Sequence, residues 1–467
     1  MYCFRHSLSS EKPPVAFIMT AFAAIFLSTS RQNAFADPLK TQQSPLLIAD
    51  VMPTLLPPVN PSATQPDSAV GGMHLNEALN ETFLRSPRAA SIRFQLGIAK
   101  SAIPQALTFP NPAFLLYNGF KAEQTYQVGA SIPIEAPWKV FFRLILAKNQ
   151  IKQADLEIMR SLWLLRGNVR RAYLDVVLAE EMATALTDLS DLSKRLLSVA
   201  ERRAKAGDVA KLDVYKAHLA TSQAEIERVQ AARQVILTKR RLNVLLGRDH
   251  AAELAIPGLP QFQLKVTKNE LLPDFDQSMP DLSGLIASAH ESRLDVRLAR
   301  QALKTNEAAL RNTYSSIVPN TQFNVGHSIT GNPPEGPKLN GYFIGITQEV
   351  PLGDFNQSDI AKYRAMIKQQ KAEVDAQKNI VAEDVALAYE KVMIARERIQ
   401  AYQEHVLTES QEVARLARRS YEVGQADITS ALAALQSNIQ VRSQYLDSVR
   451  SYQQAFTDLE QAIGKPL

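Results

Sequence analysis

The chain repeats itself at an offset of about 217 residues, and this duplication constrains its fold more than any other feature. A period near 200 residues is too long for one unit of a solenoid, so each copy is a complete structural half. We therefore expect a pseudo-symmetric molecule whose function needs both halves. The matching positions are Gly207 and Gly424, Gly247 and Gly464, Pro133 and Pro351, and the pairs Ala172-Tyr173 and Ala388-Tyr389.

Residues 1–36 have the composition of an export signal. A positive start is followed by the apolar run Val15–Leu27, and Ala34-Phe35-Ala36 fits a small-x-small cleavage site. The run is well short of the ~20 residues that a membrane-spanning helix needs, which argues against an anchor. Cys3 is the only cysteine and lies in this segment, so the mature chain has no thiol for a disulfide, a lipid or a metal.

The charge balance argues against nucleic acid as a partner. The whole chain carries a formal charge of +5, and loss of residues 1–36 removes three basic residues and one acidic residue, which leaves +3. Nucleic-acid binding requires a concentrated basic surface, whereas residues of both signs are interspersed here.

The chain divides into five regions. The predicted signal peptide, 1–36, precedes a proline-rich lead-in, 37–72, and the first structural repeat, 73–250; a linker or equatorial region, 251–280, leads to the second repeat, 281–467. At the start of the first repeat, apolar periodicity predicts one helix from Leu75 to about Ala106 that opens near Asn76.

Each repeat then contains two segments in which apolar and polar residues alternate, as in a β-strand. In the first repeat they are Ala113–Ala122 and Tyr126–Ile134, and in the second they are Gln322–Ile329 and Tyr342–Val350. The sequence therefore predicts one β-hairpin in each half.

A helix of unusual length is predicted after each β-hairpin. Residues 138–206 contain a single glycine, Gly167, and no proline, and residues 354–423 contain neither residue type. At 1.5 Å per residue, each helix could extend ~100 Å. Further stretches without glycine or proline follow Gly207 and Gly424, so we expect two helical hairpins. A tight turn between helices favours glycine, which tolerates a positive φ.

Strands in which apolar and polar residues alternate over about ten positions suit a sheet with one side toward lipid and one toward water. The strands of a soluble sheet show the same alternation. The mature chain has no apolar run long enough for a helical span, so insertion into a membrane would need a closed barrel. Four strands cannot enclose a pore, and about eight give an interior filled by side chains. Several copies must then share one barrel; we expect three, while two would seal it and four remain an alternative.

The predicted fold class is mainly α with a small β part. Duplicated long helical hairpins form an α-barrel, and four strands per chain contribute to a shared trimeric β-barrel of twelve strands in a membrane. Apolar and charged residues are mixed along the long helices, which suits a single-walled layer better than a thick core. The alternative is a periplasmic or surface coiled-coil scaffold without a pore.

The turns between the long helices carry a family resemblance. The segments Arg203–Glu225 and Tyr421–Ile439, within the duplicated plan of strands and long helices, resemble the TolC family of outer membrane efflux proteins. The resemblance covers about Leu75 to Leu467. It implies a homotrimeric conduit, with a β-barrel in outer membrane lipid and an α-helical barrel in the periplasm. The partners would be a periplasmic adaptor protein and an inner-membrane transporter.

In such proteins the helical tips close the tube and carry acidic residues, which makes Asp213 a candidate gate residue. The second half departs from this pattern, since Ser430 stands at the position that matches Asp213 and Ala433 occupies another place where the family can have an acidic residue. Asp208 and Asp427 are further candidates for an acidic ring that attracts cations. The competing interpretation of Asp213 is a solvated residue in the first turn of a helix, favoured by the helix dipole.

Three more candidates lie one turn before the glycines: Arg203, Arg418 and Tyr421 either pair across neighbouring hairpins or face water. Three prolines are predicted to mark the junction between barrel and helices: Pro133, Pro137 and Pro351.

No enzyme chemistry is readable from the sequence. The histidines show no ligand spacing, nucleotide-binding and nucleophile motifs are absent, and we expect no cofactor and no metal site. Asn111-Pro112 before the first strand and the lack of a lipid-bearing cysteine resemble the divalent-metal branch of the family. Multidrug and type I secretion members share the same plan, so the cargo stays open.

Overall fold

The computed structural model describes residues 72–118, 125–257, 272, 275, 278–330 and 339–467, all within one unit, Thr54–Leu467. The predicted signal peptide and, apart from Gly72, the predicted lead-in lie outside the described residues. So does much of the predicted middle region.

Three helices open the described chain, where the sequence predicted one: α1 (Leu75–Arg85), α2 (Pro87–Lys100) and α3 (Ala102–Leu107). Ser86 is extended, with ψ 128°, because a residue before proline is disfavoured in the helical region. The predicted start at Leu75 is confirmed, whereas the expectation of a single helix was wrong at the break.

The same break occurs in the second half. Helices α6 (Leu282–Ser292) and α7 (Leu294–Ser315) are separated by Arg293, which is also extended, with ψ 127°. The duplication thus includes a pair of short helices before each β-hairpin.

The four predicted strands are confirmed: β1 (Ala113–Asn118), β2 (Thr125–Ile134), β3 (Thr321–Thr330) and β4 (Leu339–Thr347). They form one antiparallel sheet in the order β1-β2-β3-β4, in which β2 and β3 join the two halves. Strand β4 ends three residues before the predicted end at Val350, and the predicted end of β1 at Ala122 lies outside the described residues.

The two faces of the sheet differ. Apolar side chains on one face are exposed, including Phe114 (73%), Tyr342 (89%) and Ile344 (74%). On the other face, the ring of Phe343 lies over Gly326, where an added Cβ would approach Phe343 Cε1 to 2.6 Å. The register sets this division, because Phe114, Ala130, Val325 and Ile344 pair side by side across the strands.

The long helices form two hairpins. The first consists of α4 (Pro137–Ala206) and α5 (Lys211–Leu246). The second consists of α8 (Gln357–Ala401), a π-helical turn (Tyr402–Val406), α9 (Leu407–Glu422) and α10 (Ile428–Ile463). With 70 residues, α4 is ~105 Å long. Among the described residues, no helix combines the length and the apolar character needed to cross a membrane.

The helices pack side by side in the order α5, α4, α10 and then α8 with α9. Helix α10 therefore has a neighbour on each side. Helix α5, its counterpart in the first half, packs along its length against α4 and makes smaller contacts with α10 and α1. The two hairpins have equivalent parts but unequal surroundings within one chain.

The π-helical turn absorbs one extra residue in the second hairpin. Buried side chains recur every seven residues at Val385, Val392 and Ile399, then after eight at Leu407, and again every seven at Ala414 and Tyr421. The offset between the halves changes accordingly, from 216 at Ala172 and Ala388 to 217 at Gly207 and Gly424. A π-turn holds one more residue than an α-turn, so the buried stripe stays in phase.

Candidate functional site

The two turns that connect the long helices have the same backbone geometry. Gly207 and Gly424 both adopt φ +85°, in the left-handed region that favours glycine. The N–H of Asp208 donates to the carbonyl of Arg203 at 2.9 Å, and that of Gln425 donates to the carbonyl of Ser420 at 2.8 Å. Each helix thus ends with its last carbonyls satisfied, in the manner of a Schellman motif.

A contact between Arg203 and Tyr421 joins the two turns. Arg203 Nη1 donates to the carbonyl oxygen of Tyr421 at 2.9 Å, and the guanidinium lies 5.1 Å from the centroid of the Tyr421 ring. An added Cβ at Gly424 would lie 3.4 Å from Arg203 Nη2, so the glycine also leaves room for this guanidinium. Of the two alternatives for Arg203 and Tyr421, the structure shows pairing, and it occurs between the hairpins of one chain.

Tyr421 lies in an apolar cluster that unites the ends of both hairpins. Its side chain is fully buried, together with Leu196, Ala217 and Ile428 from three different helices. Burial raises the pKa of the Tyr421 hydroxyl, the positive charge of Arg203 opposes this, and the negative charge of Asp213 adds to it. Asp213, in the first turn of α5, therefore acts on this hydroxyl through its charge.

The acidic candidates occupy three different environments. Asp208 is exposed, and the side chain of Asp213 is 24% exposed with Lys216 Nζ at 4.0 Å. Asp427 caps α10: its carboxylate accepts from the backbone N–H of Ser430 at 3.3 Å and from the Ser430 hydroxyl. These hydrogen bonds lower the pKa of Asp427, with the hydroxyl as the larger cause. An acid that caps a helix in this way is tied to its own turn.

The acidic residue occupies a different position of the turn in each half. The residue before α5 is Ala210 and the third residue of that helix is Asp213, whereas α10 is preceded by Asp427 and has Ser430 at its third position. Arg418, the remaining candidate of this group, approaches Glu422 of its own helix, with 3.7 Å between Nε and Oε1. No contact of Arg418 with the first turn appears among the described residues.

The predicted junction prolines lie at three distinct positions. Pro133 is inside β2 opposite Gln322, Pro137 is the first residue of α4, and Pro351 lies between β4 and α8. Proline suits the first turn of a helix because its missing N–H would be unpaired there anyway.

Two polar clusters were missed by the sequence reasoning. Near the sheet, Arg143 binds the carboxylate of Glu135 at 2.7 Å and the carbonyl of Ala106 at 2.7 Å. Midway along α4, Arg166 and Arg170 donate to Glu460 of α10 at 3.0 and 2.7 Å. Arg143 lies 37 positions after Ala106, and Arg166 lies 294 positions before Glu460, so these pairs give no spacing signal and only the folded chain brings them together.

No group of three or more His, Cys, Asp or Glu side chains that could hold a metal ion occurs in the part of the chain that the structure describes. The candidate site is a pair of turns joined by Arg203 and Tyr421. Such an arrangement can hold two helical hairpins together.

Comparison with known proteins assigns this architecture to a protein family. The family model described as Outer membrane efflux protein matches residues 88–248 and 285–465, the two repeats in turn. The chain belongs to this family.

The relatives cover nearly the whole described chain. The cobalt-zinc-cadmium resistance protein CzcC of Cupriavidus metallidurans is 24% identical over 408 residues, which span 86% of this chain and 92% of that protein. The structure of the outer membrane protein VceC from Vibrio cholerae is 15% identical, with a TM-score of 0.62 over 84% of this chain and 96% of that one. The structure of CusC is also 15% identical, with a TM-score of 0.65 over 84% and 92%.

Family membership, fold and comparisons agree with the expectation from sequence. The protein is an outer membrane efflux duct of the TolC type, located in the outer membrane and extending into the periplasm. The scaffold alternative receives no support.

Proposed function

We propose that three copies of this chain form one continuous channel. It would passively conduct substrate, received from an inner-membrane pump through a periplasmic adaptor, to the exterior, and the chain itself would catalyse no reaction. The observation that carries this proposal is the four-stranded sheet, whose outer strands β1 and β4 each pair on one side only among the described residues. Open sheet edges are not tolerated in hydrocarbon, so neighbouring copies must pair β4 with β1.

The helices support the same ring. In the second half, α10 packs between α4 and the α8–α9 pair. Helix α5 is the counterpart of α10, and α4 is the counterpart of the α8–α9 pair. By pseudo-symmetry α5 should therefore also pack between α4 and an α8–α9 pair, and that pair belongs to the next copy. Contacts of this head-to-tail kind close into a ring when the rotation allows it.

The surface of α5 and the surface of the α8–α9 pair, which would meet between copies, both carry exposed apolar side chains. Helix α5 presents a stripe at helical spacing that includes Leu212 (60% exposed), Leu219 (61%) and Ile226 (58%). Helices α8 and α9 present Ile394 (64%) and Val413 (57%). Exposed apolar stripes of this length mark protein interfaces.

For the cargo we propose divalent metal cations. The relative CzcC is named a cobalt-zinc-cadmium resistance protein, and the exposed Asp208 with the nearby Asp213 would give three copies a ring of carboxylates at the turns. Such a ring raises the local concentration of cations. Opening would require the turns to separate between copies while Arg203 and Tyr421 keep each chain's own turns together.

The test is assembly and conductance of the purified protein. We expect a detergent-extracted trimer by native mass spectrometry, and ion conductance in planar bilayers. Ile226→Glu should dissociate the trimer because it buries a charge in the α5 interface, whereas Ala232→Glu, exposed on the same helix about 120° away from Ile226, should not. A monomer that is soluble without detergent and does not conduct would refute the duct. Sensitivity of a deletion strain to dyes and bile salts rather than to zinc, cobalt and cadmium would refute the cargo alone.

A further inference from the structure

Helix α2 presents two large apolar side chains that the described residues of its own chain leave uncovered. Phe94 and Ile98 lie one turn apart and are each 74% exposed. They are on the side of α2 opposite the fully buried Ala89, and α2 packs against the long helix α4. Two such side chains on neighbouring turns of one helix mark an interface with another molecule.

The second half of the chain shows what covers the equivalent face. Helices α1 and α2 correspond to α6 and α7 at an offset of 207 residues, since the extended Ser86 matches the extended Arg293. Phe94 therefore corresponds to Gln301 of α7, which is only 8% exposed. Gln301 Nε2 donates to the backbone oxygen and to the side-chain oxygen of Asn149 in α4, both at 3.1 Å. This face of α7 is thus covered by the long helix of the other half.

The order of the strands explains this contact. Strand β2 continues into α4, α7 leads into β3, and β2 pairs with β3, which sets α7 beside α4. In the ring proposed above, β4 pairs with β1 of the next copy. Strand β4 continues into α8, and α2 leads through α3 into β1. The same relation therefore sets α2 of one copy beside α8 of its neighbour.

Helix α8 has a free face where this contact requires one. At the offset of 216 residues that relates α4 to α8, the buried Ile158 matches the buried Val374. Three residues of α4 that contact α7 have exposed alanines as counterparts: Asn149 matches Ala365, Leu156 matches Ala372, and Arg160 matches Ala376. These alanines, on the other side of α8 from Val374, and the neighbouring exposed Asp375 form the free face of α8.

The charges at the two contacts are exchanged. Within the chain, Asp295 of the short helix α7 binds Arg160 of α4 at 2.7 Å. The counterpart of Asp295 on α2 is the exposed Arg88, and the exposed Asp375 lies next to Ala376, the counterpart of Arg160. Between copies, a basic residue of the short helix would thus meet an acidic residue of the long one, which is a complementary arrangement.

The side-chain sizes are exchanged as well. Phe94 is larger than its counterpart Gln301, and Ala365 is smaller than its counterpart Asn149. Each pair therefore fills a similar space, with an apolar contact in place of the two hydrogen bonds of Gln301.

We propose that Phe94 and Ile98 of each copy pack on the free face of α8 in the next copy. The inference rests on the ring of three copies and identifies a second contact within it. This contact lies near the sheet, whereas the exposed stripe that begins at Leu212 of α5 lies next to the turns. It therefore keeps the copies joined near the membrane when the turns at the other end separate.

Cross-linking tests the contact in the full-length, detergent-purified protein. Cys3, in the predicted signal peptide, is the only cysteine of the chain, so introduced thiols react alone. A short bismaleimide should convert most of Phe94→Cys/Ala365→Cys into covalent dimers and trimers. The control Phe94→Cys/Glu390→Cys should give neither product, because residue 390 is exposed on α8 but lies 25 positions further along, about 37 Å away.

An exchange of side-chain size gives a second test. Phe94→Ala and Ala365→Phe should each lower the temperature at which the trimer dissociates by several degrees, and the double variant should recover most of that loss. Phe94→Ala combined with Lys371→Phe is the control. Residue 371 is exposed on α8 about 120° around the helix from Ala365, so it should not restore the trimer.

Circular dichroism and native mass establish that each variant is folded and assembled. A trimer without the cross-link, or additive effects in the size exchange, would overturn this inference and leave the duct proposal intact; lipid or the adaptor would then cover Phe94. Reaction of both thiols within single chains would also overturn it. If the parent protein forms no trimer, this inference and the duct proposal fail together.

Discussion

The two helical hairpins share one plan, but the first is built on an uninterrupted 70-residue helix and the second contains a π-helical turn. The second hairpin has one residue more between Tyr389 and Gly424 than the first has between Tyr173 and Gly207. The comparison teaches that a long packed helix accepts an insertion when a local change of winding restores the phase of its buried stripe.

The turns at the ends of the hairpins show a second difference. The second turn supplies the buried Tyr421, whereas Ala204 occupies the corresponding place in the first. The first turn supplies the cation, Arg203, whose counterpart in the second turn is Ser420. Neither turn contains the whole contact, so duplication followed by divergence has made the two halves complementary.

The largest expected effect tests the π-helical turn. Deletion of Glu404, exposed within the turn, should convert it to regular α-helix and restore the seven-residue spacing of buried side chains, so the protein should still fold and assemble. Deletion of Thr187, the exposed counterpart in α4, should rotate one part of the buried stripe by about 100° and cost more than ~5 kcal/mol, because several buried side chains lose their packing at about 2–5 kcal/mol each. Thermal unfolding and native mass of the two variants give the comparison. Equal damage by both deletions would show that the turn does not absorb an insertion.

A smaller effect is expected at Tyr421. Tyr421→Ala should lower the free energy of unfolding by about 3–5 kcal/mol, because it leaves a cavity in the cluster that unites the turns. Tyr421→Phe should leave stability unchanged or slightly higher, since the hydroxyl is buried without a partner in the described structure. Denaturant unfolding in detergent measures both. A large loss in the phenylalanine variant would mean that the hydroxyl has a partner in the assembled protein.

The smallest effect concerns pH and the first hairpin alone. Glu225 of α5 accepts from Arg228, and from Ser190 and Lys194 of α4, and these contacts lower its pKa to about 2. A carboxylate with a lowered pKa stabilises the fold above its unfolded pKa, and that contribution is lost as pH falls through about 2. In the second hairpin Leu407 stands in place of Ser190 and Arg442 in place of Glu225, so these hydrogen bonds cannot form there.

We therefore expect Glu225→Gln to lower the melting temperature at neutral pH, with the difference from the parent shrinking as pH falls from 4.5 toward 2. Glu227→Gln, at a neighbouring exposed position, is the matched control. A difference that is independent of pH would show that the hydrogen bonds, rather than the charge, account for the effect.

Part of what was missed could have been found in the sequence. The break at Ser86 was readable from Pro87, because a residue before proline avoids the helical region. The extra residue was readable too, since the offset between the halves rises from 216 to 217 across the second hairpin. The first signal is local and the second comes from comparing the two halves, and both were lost in the stronger helical periodicity around them.

The sequence by itself determined the duplication, the alternating strands, the two hairpins and their glycine turns, because each has a fixed local period or a strict backbone requirement. Four features were decided only by the tertiary structure: the pairing of β2 with β3, the placing of α10 between α4 and α8, the Arg203–Tyr421 contact and the Arg166–Glu460 contact. These features join residues that lie about 200 to 300 positions apart. Periodicity within one segment carries no information about which distant segment will pack against it.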